Sequence, residues 1–196
     1  TNTRRINSKP IIKLIIMIKN LNNLTKDQKL HQALRVNHAG EYGAKQIYKG
    51  QLAVFRFKKD QPTVDLIEHM HQQEEVHFDY FNQKIIEQKV CPTLMQPLWQ
   101  VAGFALGFTT ALMGKKAAMA CTVAVEEVID EHYQDQLNNL EANEELKEKI
   151  EQFRQEELEH RDIGLQNNAE DLTIYKPLSF IIKSASKLAI AISTKI

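Results

Sequence analysis

The sequence predicts an all-α fold: a four-helix bundle built from two antiparallel hairpins, with an apolar crossover between them and an extra amphipathic helix at the C-terminus. Three observations carry this. Glu, Lys, Gln, Leu and Ala, all good helix formers, are abundant, while Gly and Pro number only seven and five in 196 residues. No strand-like alternation of apolar and polar residues occurs. The breaks inside each hairpin are short, which forces consecutive helices to pack as antiparallel neighbours.

Taken in order, residues 27–57 read as one long helix with Leu30, Leu34, Ile47, Leu52, Val54 and Phe55 at apolar positions. Gly40, Gly43 and Gly50 weaken it by roughly 1 kcal/mol each relative to Ala, which calls for close packing in compensation. Pro62 suits the first turn of a second helix over 62–89. A third helix covers 115–140 and a fourth 144–166. The turns 58–61 and 141–143 close the two hairpins. Between the hairpins, 90–114 is 25 residues without a charge, with Pro92, Pro97, Gly103 and Gly107 among Trp99, Phe104 and Phe108. The part after Pro97 is shorter than the ~20 residues a membrane-spanning helix needs. Two readings fit it, an apolar segment lying on or re-entering a membrane and a buried crossover. At the C-terminus, Leu178, Ile181, Ile182, Ala185, Leu188, Ala189 and Ile192 follow three-four spacing, and no acid follows Asp171. Such a helix packs on the bundle or lies in an anionic bilayer surface.

Residues 1–26 form a separate basic and apolar tail ahead of the 27–196 domain. Arg4, Arg5, Lys9, Lys13, Lys19 and Lys26 occur there with no acid, around an apolar run interrupted only by Lys13. A tail that touches an anionic membrane fits this pattern, as does a poorly ordered terminus. For the whole chain, 25 basic residues balance 25 acidic ones, which argues against nucleic acid as a partner. A hydrophobic fraction of 43% excludes wholesale disorder. The two cysteines, Cys91 and Cys121, are too few for a zinc ribbon or a disulfide scaffold, and both read as buried thiols.

The chemistry lies in a repeated pattern, Glu-x-x-His, which occurs at Glu68…His71, Glu74…His77 and Glu157…His160. On a helix, residues three apart project from one side, so a Glu and a His can reach a common ion. Two such pairs on facing helices, plus one carboxylate from each remaining helix, make four carboxylates and two imidazoles around two metals. That is the ligand set of the ferritin-like di-iron and di-manganese proteins. Depth along the helices selects the members. Helix rise is constant, so residues at one level of a hairpin are equidistant from its turn. Glu41 with Glu74 and His77 has its midpoint near residue 58, and Glu126 with Glu157 and His160 has its midpoint near 142, both inside the expected turns. Taking Glu68 and His71 instead moves the first midpoint into an apolar helical stretch. Glu127 satisfies the depth test almost as well as Glu126, and spacing does not separate them.

The halves also repeat. Tyr48 and Tyr133 each lie seven residues after the single carboxylate, two turns along the same face, and read as core residues whose hydroxyls need a partner. His38 and His132 read as core or ligand-supporting histidines. Glu75, Glu156 and Glu159 read as solvated or helix-pairing charges. A site this rich in carboxylate suits iron or manganese better than zinc, which favours four-coordinate nitrogen and sulfur cages.

At these residues the chain resembles the demethoxyubiquinone hydroxylases of ubiquinone biosynthesis. The segments Leu34-Arg35-Val36-Asn37-His38-Ala39-Gly40-Glu41-Tyr42-Gly43-Ala44, Met119-Ala120-Cys121-Thr122-Val123-Ala124-Val125-Glu126-Glu127 and Glu156-Glu157-Leu158-Glu159-His160-Arg161-Asp162-Ile163-Gly164 carry the resemblance, with Pro97-Leu98-Trp99 and Gly103-Phe104-Ala105-Leu106-Gly107 in the apolar middle. It covers roughly residues 30–175. It implies a peripheral, membrane-associated di-iron monooxygenase that uses dioxygen to hydroxylate a polyprenyl methoxy-benzoquinol. Glu74 and Glu157 would bridge two iron ions, Glu41 and Glu126 would be the outer carboxylates, and His77 and His160 would each bind one iron. The resemblance favours Glu126 over Glu127. The implied location is the cytoplasmic face of a bacterial inner membrane or a mitochondrial inner membrane. The implied partners are the quinol, the membrane surface and other proteins of ubiquinone biosynthesis. The residues name no electron donor. A ferritin-like ferroxidase or peroxidase would use the same six ligands, and a metal-free helical assembly factor is a third possibility, excluded if the chain holds iron.

Overall fold

The computed structural model describes residues 24–139, 142 and 144–195. Most of the basic tail, the Leu140 end of the third expected helix, and Glu141 and Asn143 of the second turn lie outside the described residues. Among the described residues there are six α-helices and no strand: α1 (Lys26–Lys58), α2 (Gln61–Glu87), α3 (Gln96–Leu112), α4 (Lys115–Asn139), α5 (Glu144–Gln166) and α6 (Tyr175–Ser193).

The ends are set by local chemistry. Thr25 caps α1 through a reciprocal pair of bonds with Gln28, satisfying backbone N–H groups that have no partner inside the helix. Lys59 ends α1 in the left-handed conformation. Asp60 then caps α2 by accepting from the Thr63 N–H, with Pro62 in the first turn where its missing donor costs nothing. The first hairpin therefore turns within the expected 58–61.

Helices α1, α2, α4 and α5 form the bundle. Two apolar clusters fill it, one around Leu52, Phe55, Ile67, Met70 and Met119, the other around Leu34, Phe81, Ile85, Ile150 and Phe153. Each such side chain, fully buried, contributes roughly 1.5–3 kcal/mol. Between the clusters, at mid-height of all four helices, lies a layer of buried charge.

The uncharged crossover is a helix, and it is neither fully buried nor fully exposed. One face of α3 lies against α1 at backbone contact. A Cβ on Gly107 would overlap the Ile47 carbonyl, one on Gly50 would overlap the Phe104 carbonyl, and one on Gly103 would sit 2.8 Å from the Gly43 oxygen. Gly50 is thus compensated by close packing. Gly40 and Gly43 are not, because a Cβ at either would meet open space. The other face of α3 carries Leu98, Val101, Phe104, Phe108 and Leu112, all exposed. Helix α6 lies against α4, pinned by the Lys183–Glu127 and Lys187–Glu131 ion pairs, with Phe180, Ile181 and Leu188 exposed. Trp99 at the start of α3 donates to Ser193 at the end of α6 at 3.0 Å. Among the described residues no helix is long and apolar enough to cross a membrane.

Candidate metal centre

The buried layer contains Glu41 from α1, Glu74 and His77 from α2, Glu126 from α4, and Glu157 and His160 from α5, each at most 1% exposed. Their side chains converge in two groups of four. Glu41, Glu74, His77 and Glu157 offer ligand atoms within 4.8 Å of one another, and so do Glu74, Glu126, Glu157 and His160. Glu74 and Glu157 belong to both groups. Each group is able to hold a metal ion.

Both imidazoles turn Nδ1 toward the carboxylates. His77 Nδ1 lies 3.0 Å from Glu157 and 3.6 Å from Glu41. His160 Nδ1 lies 3.2 Å from Glu74 and 3.3 Å from Glu157. The outer carboxylates are held from across the bundle in reciprocal fashion. Tyr48 of α1 donates to Glu126 of α4 at 2.7 Å, and Tyr133 of α4 donates to Glu41 of α1. The seven-residue spacing noticed in each half is thus the spacing between a carboxylate and the hydroxyl that orients its counterpart.

Four buried carboxylates this close repel one another, and the protonation pattern shows it. Burial, then the charges of Glu157 and Glu41, hold Glu74 well above the ordinary carboxylate range. Burial, then Glu157 and Glu74, do the same to Glu126. For Glu157 burial pulls upward, but the adjacent His160 and His77 imidazoles prevail and keep it below its usual value. Burial would lower His77, yet the adjacent Glu157 and Glu41 carboxylates lift it to about 12. One oxygen each of Glu41, Glu126 and Glu157, both oxygens of Glu74, and His160 Nδ1 are buried without a hydrogen-bond partner. Unpaired buried acceptors are costly, and here they all face a common interior. Divalent cations in place of protons relieve both the repulsion and the missing bonds, so the donor set fits two hard metal ions.

The neighbouring carboxylates separate cleanly. Glu127 is half-buried and paired with Lys183, on a different side of α4 from Glu126. Glu68 pairs with Arg56 at 2.6 Å. His69 is exposed beside Glu159, and His71 lines a surface pocket with Lys49, Arg56 and Glu75. His38 is buried against the Phe78 ring. His132 meets Gln136, which is paired with Asn37 of α1. Two readings change. Cys91 is exposed rather than buried, because it falls in the connection between α2 and α3; only Cys121 is buried, and burial pushes its thiol up to about 12. Glu156 is not a merely solvated charge, since its Oε2 lies 2.6 Å from His77 Nε2.

Beside the centre, α1, α3, α4 and α6 line a partly open apolar cavity of about 180 Å³, with Gly40, Gly43, Ile47, Trp99, Leu106, Val125 and Ile129 among its wall residues. Gly40 and Gly43, where a Cβ would meet open space, are on its wall.

The family described as ubiquinone biosynthesis protein COQ7 matches residues 28–193. The chain belongs to this family. Relatives in it include the NADPH-dependent 3-demethoxyubiquinone 3-hydroxylase, mitochondrial, of Dictyostelium discoideum, 50% identical over 175 residues that cover 87% of this chain and 79% of the relative. The 3-demethoxyubiquinol 3-hydroxylase of Rhodospirillum rubrum is 51% identical over 164 residues, 83% of this chain and 76% of the relative. The mitochondrial NADPH-dependent 3-demethoxyubiquinone 3-hydroxylase of Bos taurus is 45% identical over 181 residues, 90% and 82% of the two chains. These COQ7 relatives are named as hydroxylases, which gives the ferroxidase reading no support.

Proposed function

We propose that the chain hydroxylates the ring of a polyprenyl demethoxyubiquinol, at a centre where Glu41, Glu74, His77 and Glu157 hold one iron ion and Glu74, Glu126, Glu157 and His160 hold the other. The two groups of four that share Glu74 and Glu157 carry this reading, and membership of the COQ7 family supports the reaction. Bound iron supplies the activation of dioxygen. One oxygen atom enters a ring C–H bond and the other leaves as water, with two electrons and two protons from an external reductant. The names of the mitochondrial relatives point to a reduced nicotinamide as that reductant.

The chain's own residues do four things. The six ligands present a dry, oxygen-rich site. Tyr48 and Tyr133 fix the outer carboxylates by donating to them. The apolar clusters on either side exclude water. The cavity beside α1 accepts part of the isoprenoid tail, while the exposed apolar faces of α3 and α6 rest on the bilayer that holds this substrate.

The test is an anaerobic, iron-loaded protein given demethoxyubiquinol with a reductant and a pulse of isotopically labelled dioxygen. The expected product carries one labelled oxygen on the ring. Oxidation of ferrous iron with no oxygen incorporated into the quinol would overturn the reading in favour of a ferroxidase.

A further inference from the structure

Two cross-bundle contacts repeat in both halves of the centre, a tyrosine hydroxyl on each outer carboxylate and an oxygen acceptor on each histidine Nε2, and the second differs in charge. The residue immediately before each Glu-x-x-His pair is Gln73 on α2 and Glu156 on α5. Each reaches across the bundle to the histidine of the other half. Glu156 Oε2 lies 2.6 Å from His77 Nε2, and Gln73 Oε1 lies 2.9 Å from His160 Nε2. The Tyr48–Glu126 and Tyr133–Glu41 bonds repeat with the same residue types. The contacts to Nε2 repeat in position but not in charge.

We propose, resting on the two-ion reading above, that Gln73 and Glu156 are positioning residues for the opposite histidines. We further propose that the difference between amide and carboxylate makes the two metal positions unequal. The argument begins at the ring. An imidazole that turns Nδ1 to a metal carries its proton on Nε2, and an acceptor there fixes both the tautomer and the ring plane. Both rings have that acceptor. At His77 it is a carboxylate, whose other oxygen is itself held by the Gln152 amide at 2.9 Å, so its orientation is set from behind. A hydrogen bond to an ionised acceptor is about twice as strong as one to a neutral acceptor. It draws the Nε2 proton outward and makes Nδ1 the richer donor. At His160 the acceptor is a neutral amide and the effect is smaller. The position served by Glu41, Glu74, His77 and Glu157 is therefore the tighter of the two, and the position served by His160 is the more readily vacated.

Equilibrium titration of the full chain with Mn(II), and with ferrous iron under anaerobic conditions, tests this. Wild type should bind two ions in resolved steps. Glu156→Gln should weaken the tighter step by about 10–100-fold and bring the two steps together. Gln73→Glu should tighten the weaker step, and the Q73E/E156Q exchange should restore two resolved steps with their assignment reversed, as shown by which step is lost on adding His77→Ala or His160→Ala. The Mössbauer spectrum of the iron-loaded protein gives a readout that a purely structural role would not move: unequal iron environments in wild type converge in E156Q. If E156Q does not fold, Q73E alone decides the matter. Two ions bound with equal affinity by wild type, or titrations unchanged in the variants, would overturn this proposal while leaving the two-ion reading intact. A wild type that binds no pair of ions would overturn both.

Discussion

Glu157 belongs to both groups of candidate ligands, whereas Glu41 belongs to one. Removing each therefore has a different consequence. Glu157→Ala should abolish binding of both ions, because each position loses a carboxylate and both histidines lose their shared neighbour. Glu41→Ala should leave the His160 position occupied and reduce iron from two ions per chain toward one. Metal analysis of the purified variants after reconstitution measures the ratio directly. Equal loss from both variants would contradict the sharing. Away from the centre, His132 makes a testable pH dependence. Its Nε2 accepts from Gln136, whose amide also donates to Asn37, a role open only to the neutral ring. Burial holds His132 down to about 4 from an ordinary 6.5, partly opposed by Asp135. Below 6.5 the unfolded chain takes up a proton that the folded chain refuses, so stability falls as the pH drops from 6.5 to about 4. His132→Gln should show a shallower decline of Tm over that window than wild type, compared in the metal-free protein so that ligand release does not intrude.

At the scale of elements, the close seam between α1 and α3 makes neighbouring glycines behave oppositely. Gly107→Ala places a methyl group into the Ile47 carbonyl, and backbone on both sides leaves no flexible group to yield. A loss of about 1–3 kcal/mol or more is expected by urea denaturation. Gly43→Ala meets open space and should stabilise α1 by up to about 1 kcal/mol. It also narrows the cavity wall, so its cost should appear as a raised KM for long-tailed quinol. This contrast also shows how far the sequence could be read. The bundle helices were legible because good helix formers fill them and each hairpin turns at Pro62 or a short polar stretch. Helix α3 was not, since an almost uniformly apolar stretch has no periodicity to count, and what its glycines pack against is decided by α1. Glu126 could be told from Glu127 only by the resemblance, but the other five candidate ligands were legible because helix spacing fixes which residues share a face and hairpin depth fixes which share a level. Glu156 was not, because one position before a ligand in a Glu-rich helix differs from it by only about 100° of rotation. The contact it makes depends on how α5 meets α2, which no local pattern encodes.

For the whole molecule, the arrangement of charge and apolar surface gives it a sidedness. The bundle face made by α2 and α5 is polar, and the opposite face is covered by α3 and α6, which expose Val101, Phe108 and Leu112 on one helix and Phe180, Ile181 and Leu188 on the other. Exposed apolar side chains clustered on two adjacent helices mark an interaction surface. A membrane surface is the occupant proposed above for this face. The inner face of α3 is engaged with α1 through Gly103, Gly107 and Ala111, so the outward residues can be changed without disturbing that seam. The variant V101S/F108S/L112S should keep the helical content and iron loading of wild type. Each apolar side chain that reaches the acyl boundary contributes roughly 1.5–3 kcal/mol, so losing three should lower vesicle partitioning by at least about a hundredfold. Flotation with vesicles of phosphatidylcholine and cardiolipin measures it. Wild type is expected to rise with the lipid and the variant to remain below; wild type left entirely in the soluble fraction, or a variant that floats equally well, would remove the membrane from the account. Turnover separates the two uses of this face. The variant should lose activity on a long-chain quinol embedded in vesicles while keeping it on a short-chain quinol in solution, because the buried Glu and His layer lies inside the bundle and does not depend on the outward side chains of α3.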